Sequence, residues 1–279
     1  MAGVQIVTDS ASDLPKELSE RAGIRTVPLE VRLGDHDPAE LAELPGEEFW
    51  KLANATDSLA ETAAPSPGLF AEAFRAAAAD GASGVLCVTI SSRLSATFQA
   101  ARAGATEVAA EIPVSVVDSR LATMGEGLLV LHASALAAEG ADLGALVGAT
   151  ERAVESISVF GTLENLETLR RGGRIGSAQA LIGSLLSIKP VIEVRDGAVE
   201  GESKQRTRAR SLRYLVDKAA AAGPLAALAV VHAAAGDLDE ILDPLAEVFP
   251  RADTIVTAIG PVIGAHTGSG TIGLCYRRA

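Results

Sequence analysis

The sequence has 279 residues, which exceeds the usual size of a single domain and predicts two lobes with a cleft between them. Its 24 basic and 36 acidic side chains give a net charge of -12, which opposes general binding to nucleic acid and leaves at most transient membrane contact. With two cysteines, no export signal and no run of ~20 apolar residues, the chain is expected to be cytoplasmic, without a disulfide scaffold or membrane span.

Apolar runs in the first half predict the strands of a sheet. Residues 4–7, 24–31, 84–90 and 113–118 read VQIV, IRTVPLEV, GVLCVTI and PVSVVD, and helical patterns lie between them. Such alternation of strands and helices is typical of an α/β fold in which helices flank a parallel sheet.

Two helix starts in this half carry capping signals. Ser12 or Asp13 lies before Pro15, and Ser66 lies before Pro67. A hydroxyl or carboxylate just before a proline is a typical N-cap pattern, so we expect a helix to begin at each place.

Polar side chains follow three of these predicted strands. Residues 8–10, 91–92 and 118–119 read TDS, SS and DS. Ligands of parallel α/β sheets bind beyond the carboxyl ends of the strands, which meet at one edge of the sheet. The three polar tips are therefore expected to converge.

From residue 157 the pattern changes and predicts a second lobe of mixed α/β structure, so we divide the chain into domains 1–156 and 157–279. Asp196 and Gly197 favour a type I′ hairpin, since both of its central positions need positive φ. The other predicted elements are a strand at 157–163, a short helix ending at Gly172, an apolar helix at 177–188, helices at 207–222 and 237–248, and strands at 225–232 and 253–259.

Residues 259–274 read IGPVIGAHTGSGTIGL and predict a polar pocket. His266 lies among five glycines, beside Thr267 and Ser269. Glycines let backbone N–H groups approach a ligand, and the hydroxyls and imidazole are donors, so an anionic head group would suit this segment. Its GSGTIG run matches the dinucleotide fingerprint in letters, but it lacks the preceding first strand and the following acidic residue, and no nucleotide cofactor is expected.

Metal binding is not expected either. The histidines, at positions 36, 132, 232 and 266, are far apart, and neither cysteine lies in a CxxC pair. Structural zinc sites usually combine ligands at short local spacing. The sequence therefore predicts no metal site.

The sequence is also compatible with a hydrolase and with a sensor of a small ligand. In a hydrolase, Ser92 or Ser95 would pair with His266 and with Asp9 or Asp118, but the GxSxG elbow is missing and hydroxyls at a helix start are usually caps. A sensor of a small ligand could use the same cleft.

Short motifs occur in a consistent order from about Val4 to Tyr276. They are TDS at 8–10, TAAP at 62–65, SSRLSATFQAA at 91–101, DSRLATMGEG at 118–127, GGRI at 172–175, SLLSIKPV at 184–191, RT at 206–207 and GPVIGAHTGSG at 260–270. Together they resemble the DegV family.

The resemblance implies an α/β protein of two lobes that holds one long-chain fatty acid in an apolar tunnel between them. It implies a carrier rather than an enzyme, the fatty-acid-binding component of bacterial fatty acid kinase. Such a carrier presents the carboxylate to a separate ATP-dependent kinase that makes acyl phosphate. It has no ATP site and no cofactor besides the bound lipid.

The same resemblance implies roles for individual residues. Carried over by motif, Thr62, Ser92 and His266 would contact the carboxylate. Further polar groups nearby would be Asp9, Ser10, Ser91 and Ser95.

Two more sets of residues complete the expected site. Arg174 and Arg206 would face the kinase, as the resemblance implies. Helical periodicity suggests a set of apolar residues for the tunnel wall. They are Ile182, Leu185, Leu186 and Ile188.

Overall fold

The computed structural model describes residues 3–37, 41, 44, 46–56, 60–181 and 188–279. Within them, the first half builds a four-stranded parallel sheet in the order β2-β1-β5-β6, beside a separate antiparallel pair, β3 and β4. The strands are β1 (Val4–Asp9), β2 (Arg25–Val27), β3 (Glu30–Arg32), β4 (Glu61–Ala63), β5 (Gly84–Thr89) and β6 (Val114–Asp118).

The predicted strand at 24–31 is two strands, so the prediction of one continuous strand was wrong. β2 pairs with β1, whereas β3 turns away and pairs with β4. The break falls at Pro28, which has no N–H for a ladder. The next N–H, of Leu29, donates instead to the Ser10 hydroxyl at 2.9 Å.

Helices pack on this sheet as the pattern predicts, and β5 is buried along its whole length. The helices are α1 (Lys16–Arg21), α2 (Gly46–Asn54), α3 (Pro67–Ala79), α4 (Thr97–Glu107), α5 (Met124–Ala138) and α6 (Leu143–Val154).

One predicted cap is confirmed and one is wrong. The Ser66 hydroxyl accepts the N–H of Leu69 in the first turn of α3. By contrast, α1 begins after Pro15 without a side-chain cap, because Asp13 turns away with a φ of 50°. Its carboxylate bonds to groups far along the chain, as described below.

The second half forms a six-stranded mixed sheet in the order β11-β10-β12-β7-β8-β9. This confirms the predicted α/β class, while the boundary between residues 156 and 157 stays a prediction. Asp196 and Gly197 have φ values of 49° and 81°, as the predicted hairpin turn requires. The strands are β7 (Ile157–Thr162), β8 (Lys189–Arg195), β9 (Ala198–Gln205), β10 (Leu225–His232), β11 (Ile255–Ala258) and β12 (Ile272–Arg278).

The helices of this half differ from prediction at two places. The predicted helix at 237–248 is shorter, and the predicted apolar helix at 177–188 begins as a 3-10 helix over Gly176–Leu181, with 182–187 outside the described residues. The helices are α7 (Glu167–Arg171), α8 (Arg208–Ala221), α9 (Asp239–Leu245) and α10 (Pro261–Thr267).

Helix α5 lies between the two sheets. It contacts β1 and β5 on one side and β7, β10 and β12 on the other, so both sheets share one apolar cluster. At Gly125 the approach is so close that an added Cβ would clash with the Val159 side chain. No helix in the described part of the chain is long and apolar enough to cross a membrane.

Candidate ligand-binding site

A cavity of about 280 Å³ lies between the edge of the parallel sheet and the inner face of the mixed sheet. Both halves of the chain line it, and most of its wall is aliphatic. Its apolar residues include Leu29, Ile90, Ala122, Val159, Ile192 and Val231. Its polar side chains are Thr62, Ser95, Thr123, Arg174, His266, Thr267 and Thr271.

Three of these hydroxyls already donate to protein acceptors. Thr123 donates to Asp13, Thr267 to the carbonyl of Ile263, and Thr271 to the carbonyl of Thr267. The other polar groups of the lining are Thr62, Ser95, Arg174 and His266, and of these the Ser95 hydroxyl lies 2.8 Å from the hydroxyl of Thr97.

Thr62 and His266 form the central polar contact. Thr62 is in β4 and His266 is in α10, and Thr62 Oγ1 lies 2.9 Å from His266 Nε2. Burial, and secondly the positive charge of Arg174, lower the pKa of His266 from 6.5 to about 4, so the imidazole is neutral near pH 7. A neutral ring and a hydroxyl carry two polar hydrogens, and their mutual bond uses one. In either tautomer one donor remains.

Glycine provides the space for this imidazole. His266 Nδ1 is buried and has no hydrogen-bond partner among the described residues. It lies so close to Gly172, at the end of α7, that an added Cβ there would clash with it. The GGRI motif therefore has a steric reason for its first glycine.

The start of α10 is fixed by two residues from the first half. Asp13 Oδ1 accepts the N–H of Gly260 at 2.9 Å, and the Trp50 indole donates to the carbonyl of Ile259 at 2.9 Å. The Trp50 ring also packs against Gly264, where an added Cβ would clash with it. Gly264 thus admits an indole, whereas the sequence pattern suggested backbone approach to a ligand.

Arg174 is the one charged side chain among the described residues that line the cavity. It is exposed, and its guanidinium donates to the carbonyls of Leu94 and Gly172 at 3.2 and 2.7 Å. These bonds place a positive charge at the mouth of the cavity, near His266. Arg206, in contrast, lies just beyond the far end of β9 and is exposed.

Ser92 lies outside this cavity and lines a neighbouring open depression of about 420 Å³. Leu94, Ser95, Ala96 and Arg174 border both spaces. Ser95, rather than Ser92, is therefore the serine that the structure brings to the same cavity as His266. Direct contact of Ser92 with a ligand stays a prediction.

The other predicted polar residues join the loops at the sheet edge. Asp9 accepts the N–H of Ile90 at 2.8 Å, and Asp118 accepts that of Ser92 at 3.1 Å, which confirms that the polar tips converge. Ser91 is buried and donates to the carbonyl of Gly197 in the hairpin turn at 2.7 Å. These contacts hold the rim of the site. The Ser10 hydroxyl accepts the N–H of Leu29 at 2.9 Å.

The predicted apolar wall is only partly described. Ile182, Leu185 and Leu186 lie outside the described residues. Ile188 is half-buried just before β8 and does not border the cavity in the described part of the chain. The apolar wall that the structure shows is shared among the loops after β5 and β6, the strands β7 and β8, and the helix α10.

A Ser-His-acid triad is not assembled among the described residues. His266 contacts the Thr62 hydroxyl through Nε2, and no carboxylate bonds to its Nδ1. Asp9 and Asp118 bond to backbone N–H groups instead. The geometry that a serine nucleophile needs is therefore missing.

Three buried carboxyl groups lie beside the site. The sequence patterns did not indicate that two of them, Asp13 and Glu126, are buried. Asp13 and Glu126 are 8% and 0% exposed, and Asp9 is 0% exposed. Burial raises the pKa of Asp9 and of Asp13 to about 7, and it raises the pKa of Glu126 well above its ordinary value. In the sequence, the one available signal is a glutamate at the start of an otherwise apolar helix. No group of His, Cys, Asp or Glu within the described ranges is arranged to hold a metal ion.

Comparisons with known proteins show the family of this chain. A family model described as "Uncharacterised protein, DegV family" matches residues 3–279. The chain belongs to the DegV family. It is 40% identical over 275 residues to a DegV domain-containing protein of Streptomyces coelicolor, and the match covers 97% of each chain.

Solved DegV structures share the fold over nearly the whole chain. A DegV family protein of Thermus thermophilus, described by its fatty acid binding, is 33% identical with a TM-score of 0.86, and the match covers 99% of this chain and 100% of that one. DegV of Bacillus subtilis, described as a fatty acid binding protein, is 28% identical with a TM-score of 0.88 and 100% coverage of both chains.

Proposed function

We propose that this protein binds a long-chain fatty acid in the cavity, with the carboxylate beside Thr62 and His266 and the acyl chain against the apolar wall. One observation carries the proposal: Thr62 and His266 lie together with one polar hydrogen left over from their mutual bond, and most of the cavity wall is apolar. The solved relatives that bind fatty acids support the same ligand class.

The tail would supply most of the affinity. A chain of about 14 methylenes, at ~0.8 kcal/mol each, gains on the order of 11 kcal/mol on burial before the costs of association. A hydrogen bond to a charged acceptor contributes only ~1.5 to 3 kcal/mol, because it replaces a bond to water. Thr62, His266 and Ser95 would thus mainly orient the ligand in the cavity.

Extraction of the purified protein under denaturing conditions, followed by mass spectrometry, tests this function. We expect one fatty acid per chain in the wild type and in His36→Ala, whose substituted residue is in an exposed loop. In His266→Ala the acid should remain but exchange faster, since the tail contacts persist. A polar metabolite in place of the acid would instead indicate a small-ligand sensor. The absence of any bound molecule would overturn both functions.

The second part of the proposal is that the carboxylate is presented to a separate ATP-dependent kinase. Attack by a carboxylate oxygen on the terminal phosphorus of ATP would give acyl phosphate and ADP. This requires access from one side. Arg174 and Ser95 border both the cavity and the open depression that Ser92 lines, so the depression is the proposed approach for the phosphoryl donor.

Arg206 is proposed as a docking residue for the kinase. It is exposed, follows the last residue of β9 and is not among the described residues that line the cavity. A direct effect on the ligand is therefore not expected.

Arg206→Glu should lower acyl phosphate formation by the partner kinase severalfold while the bound lipid is retained, because the charge contact is intermolecular. The assay compares acyl phosphate yield and lipid content in the same samples. Arg213→Glu, an exposed substitution of equal charge on α8, is the control. Unchanged coupling in Arg206→Glu at low salt would remove this residue from the proposal.

A further inference from the structure

Two glycines form part of the cavity wall at the centre of the mixed sheet. Gly161 of β7 and Gly273 of β12 are directly opposite each other in the antiparallel pair, and both line the cavity. On either side of them in the same row stand Val231 of β10 and Ile192 of β8. The two central positions of this row therefore have no side chain, and the branched residues that flank them are roughly 14 Å apart.

The rows next to this gap are filled. Two residues along the strands, Cys275 is opposite Val159, and Val159 is opposite Val194. Val159 and Val194 project to the same face as the glycine row, because side chains alternate along a strand. The gap is thus a local depression in an otherwise branched surface, with bare backbone at its floor.

Packing within the protein explains one glycine but not the other. A Cβ on Gly273 would lie 2.6 Å from Val231 Cγ2, which is a clash. A Cβ on Gly161 would lie 3.6 Å from both Ile192 Cγ1 and Leu163 Cδ1, which is ordinary contact. An alanine therefore fits the protein at position 161. Since glycine weakens a strand interior, its presence there needs another reason.

We infer that Gly161 determines ligand specificity: its missing side chain makes room for the acyl chain to pass over the Gly161–Gly273 pair. This inference rests on the proposed fatty-acid ligand and goes beyond it, because it names the residue that limits the chain. A methyl group at this position would occupy space that the ligand needs. Short acids that fit in the rest of the cavity would be affected least.

The test compares binding of decanoic, dodecanoic, tetradecanoic and hexadecanoic acids to delipidated wild type, Gly161→Ala and Gly161→Val by titration calorimetry. We expect the affinity of Gly161→Ala for hexadecanoic acid to be at least about tenfold lower than that of the wild type, because one extra carbon in an apolar pocket commonly has an effect of this size. The affinity of Gly161→Val should be lower still. The loss should shrink as the chain shortens. Gly236→Ala, at an exposed glycine with no atom near the added Cβ, is the matched control.

Thermal unfolding of the delipidated proteins separates this role from a structural one. Gly161→Ala should unfold at an equal or higher temperature than the wild type, because alanine fits the strand, while its affinity falls. If the wild type binds these acids, an unchanged chain-length profile in the Gly161 variants would overturn the inference alone, as would a loss of affinity matched by a loss of stability. A wild type that binds none of them would overturn the proposed function itself.

Discussion

His266 shows how its surroundings decide what a side chain can offer a ligand. Its ring is largely removed from water and lies near the guanidinium of Arg174, so protonation would place two positive charges in an apolar cavity. The neutral ring instead shares a hydrogen bond with Thr62. The one formal positive charge among the described residues of the cavity lining then stays at its mouth, where water can reach it.

Arg174→Gln should raise the pKa of His266 from about 4 part of the way towards 6.5, since it removes a nearby positive charge but leaves the larger effect of burial. The measurement is an NMR titration of protein labelled at the histidine ring, with the signal assigned by its loss in His266→Gln. Arg170→Gln, at an exposed arginine paired with Glu167, should leave the pKa unchanged. Identical titrations in Arg174→Gln and wild type would contradict the stated cause.

At the scale of elements, local patterns predict most of the fold. Short apolar runs locate most of the strands, and the positive φ required at Asp196 and Gly197 identifies the hairpin. The Ser66 cap likewise depends only on neighbours in the chain. These features were predictable because their causes lie within a few residues.

The elements that hold the site were not predictable in this way. Asp13 carries a local capping signal, but its carboxylate bonds to Gly260, 247 residues away, and to Thr123. Trp50 reaches Ile259 across 209 residues. Tertiary contacts overrode the local preference in the first case and gave no local signal in the second. Which of the two serines borders the cavity likewise depends on where the loop places Ser92 and Ser95, which their local sequence does not show.

At the scale of the whole molecule, α5 joins the sheets and carries a buried carboxyl group into the interior. Glu126 accepts a hydrogen bond from Thr8 at 2.9 Å, and Asp9 and Asp13 lie close enough to influence its titration. The folded protein therefore favours the protonated forms of these groups. For Asp9 and Asp13, the free energy of unfolding that this contributes is present at acid pH and is lost as the pH rises from about 4 to about 7.

Asp13→Asn should reduce this loss, because an amide can accept from Gly260 and donate to Thr123 without a charge. Between about pH 5 and pH 8, urea unfolding should show a smaller fall in the free energy of unfolding than in the wild type, with a difference on the order of a few kcal/mol. Asp253→Asn, at an exposed aspartate, is the control. Parallel pH profiles for Asp13→Asn and wild type would refute the role of this carboxyl group.

The position of the indole described above has a practical consequence. Trp50 is the only tryptophan in the chain, and its ring touches the helix that carries His266. Intrinsic fluorescence excited at this chromophore therefore arises from a single location beside the His266 end of the cavity. The molecule carries its own optical reporter, and occupancy can be followed without an attached dye.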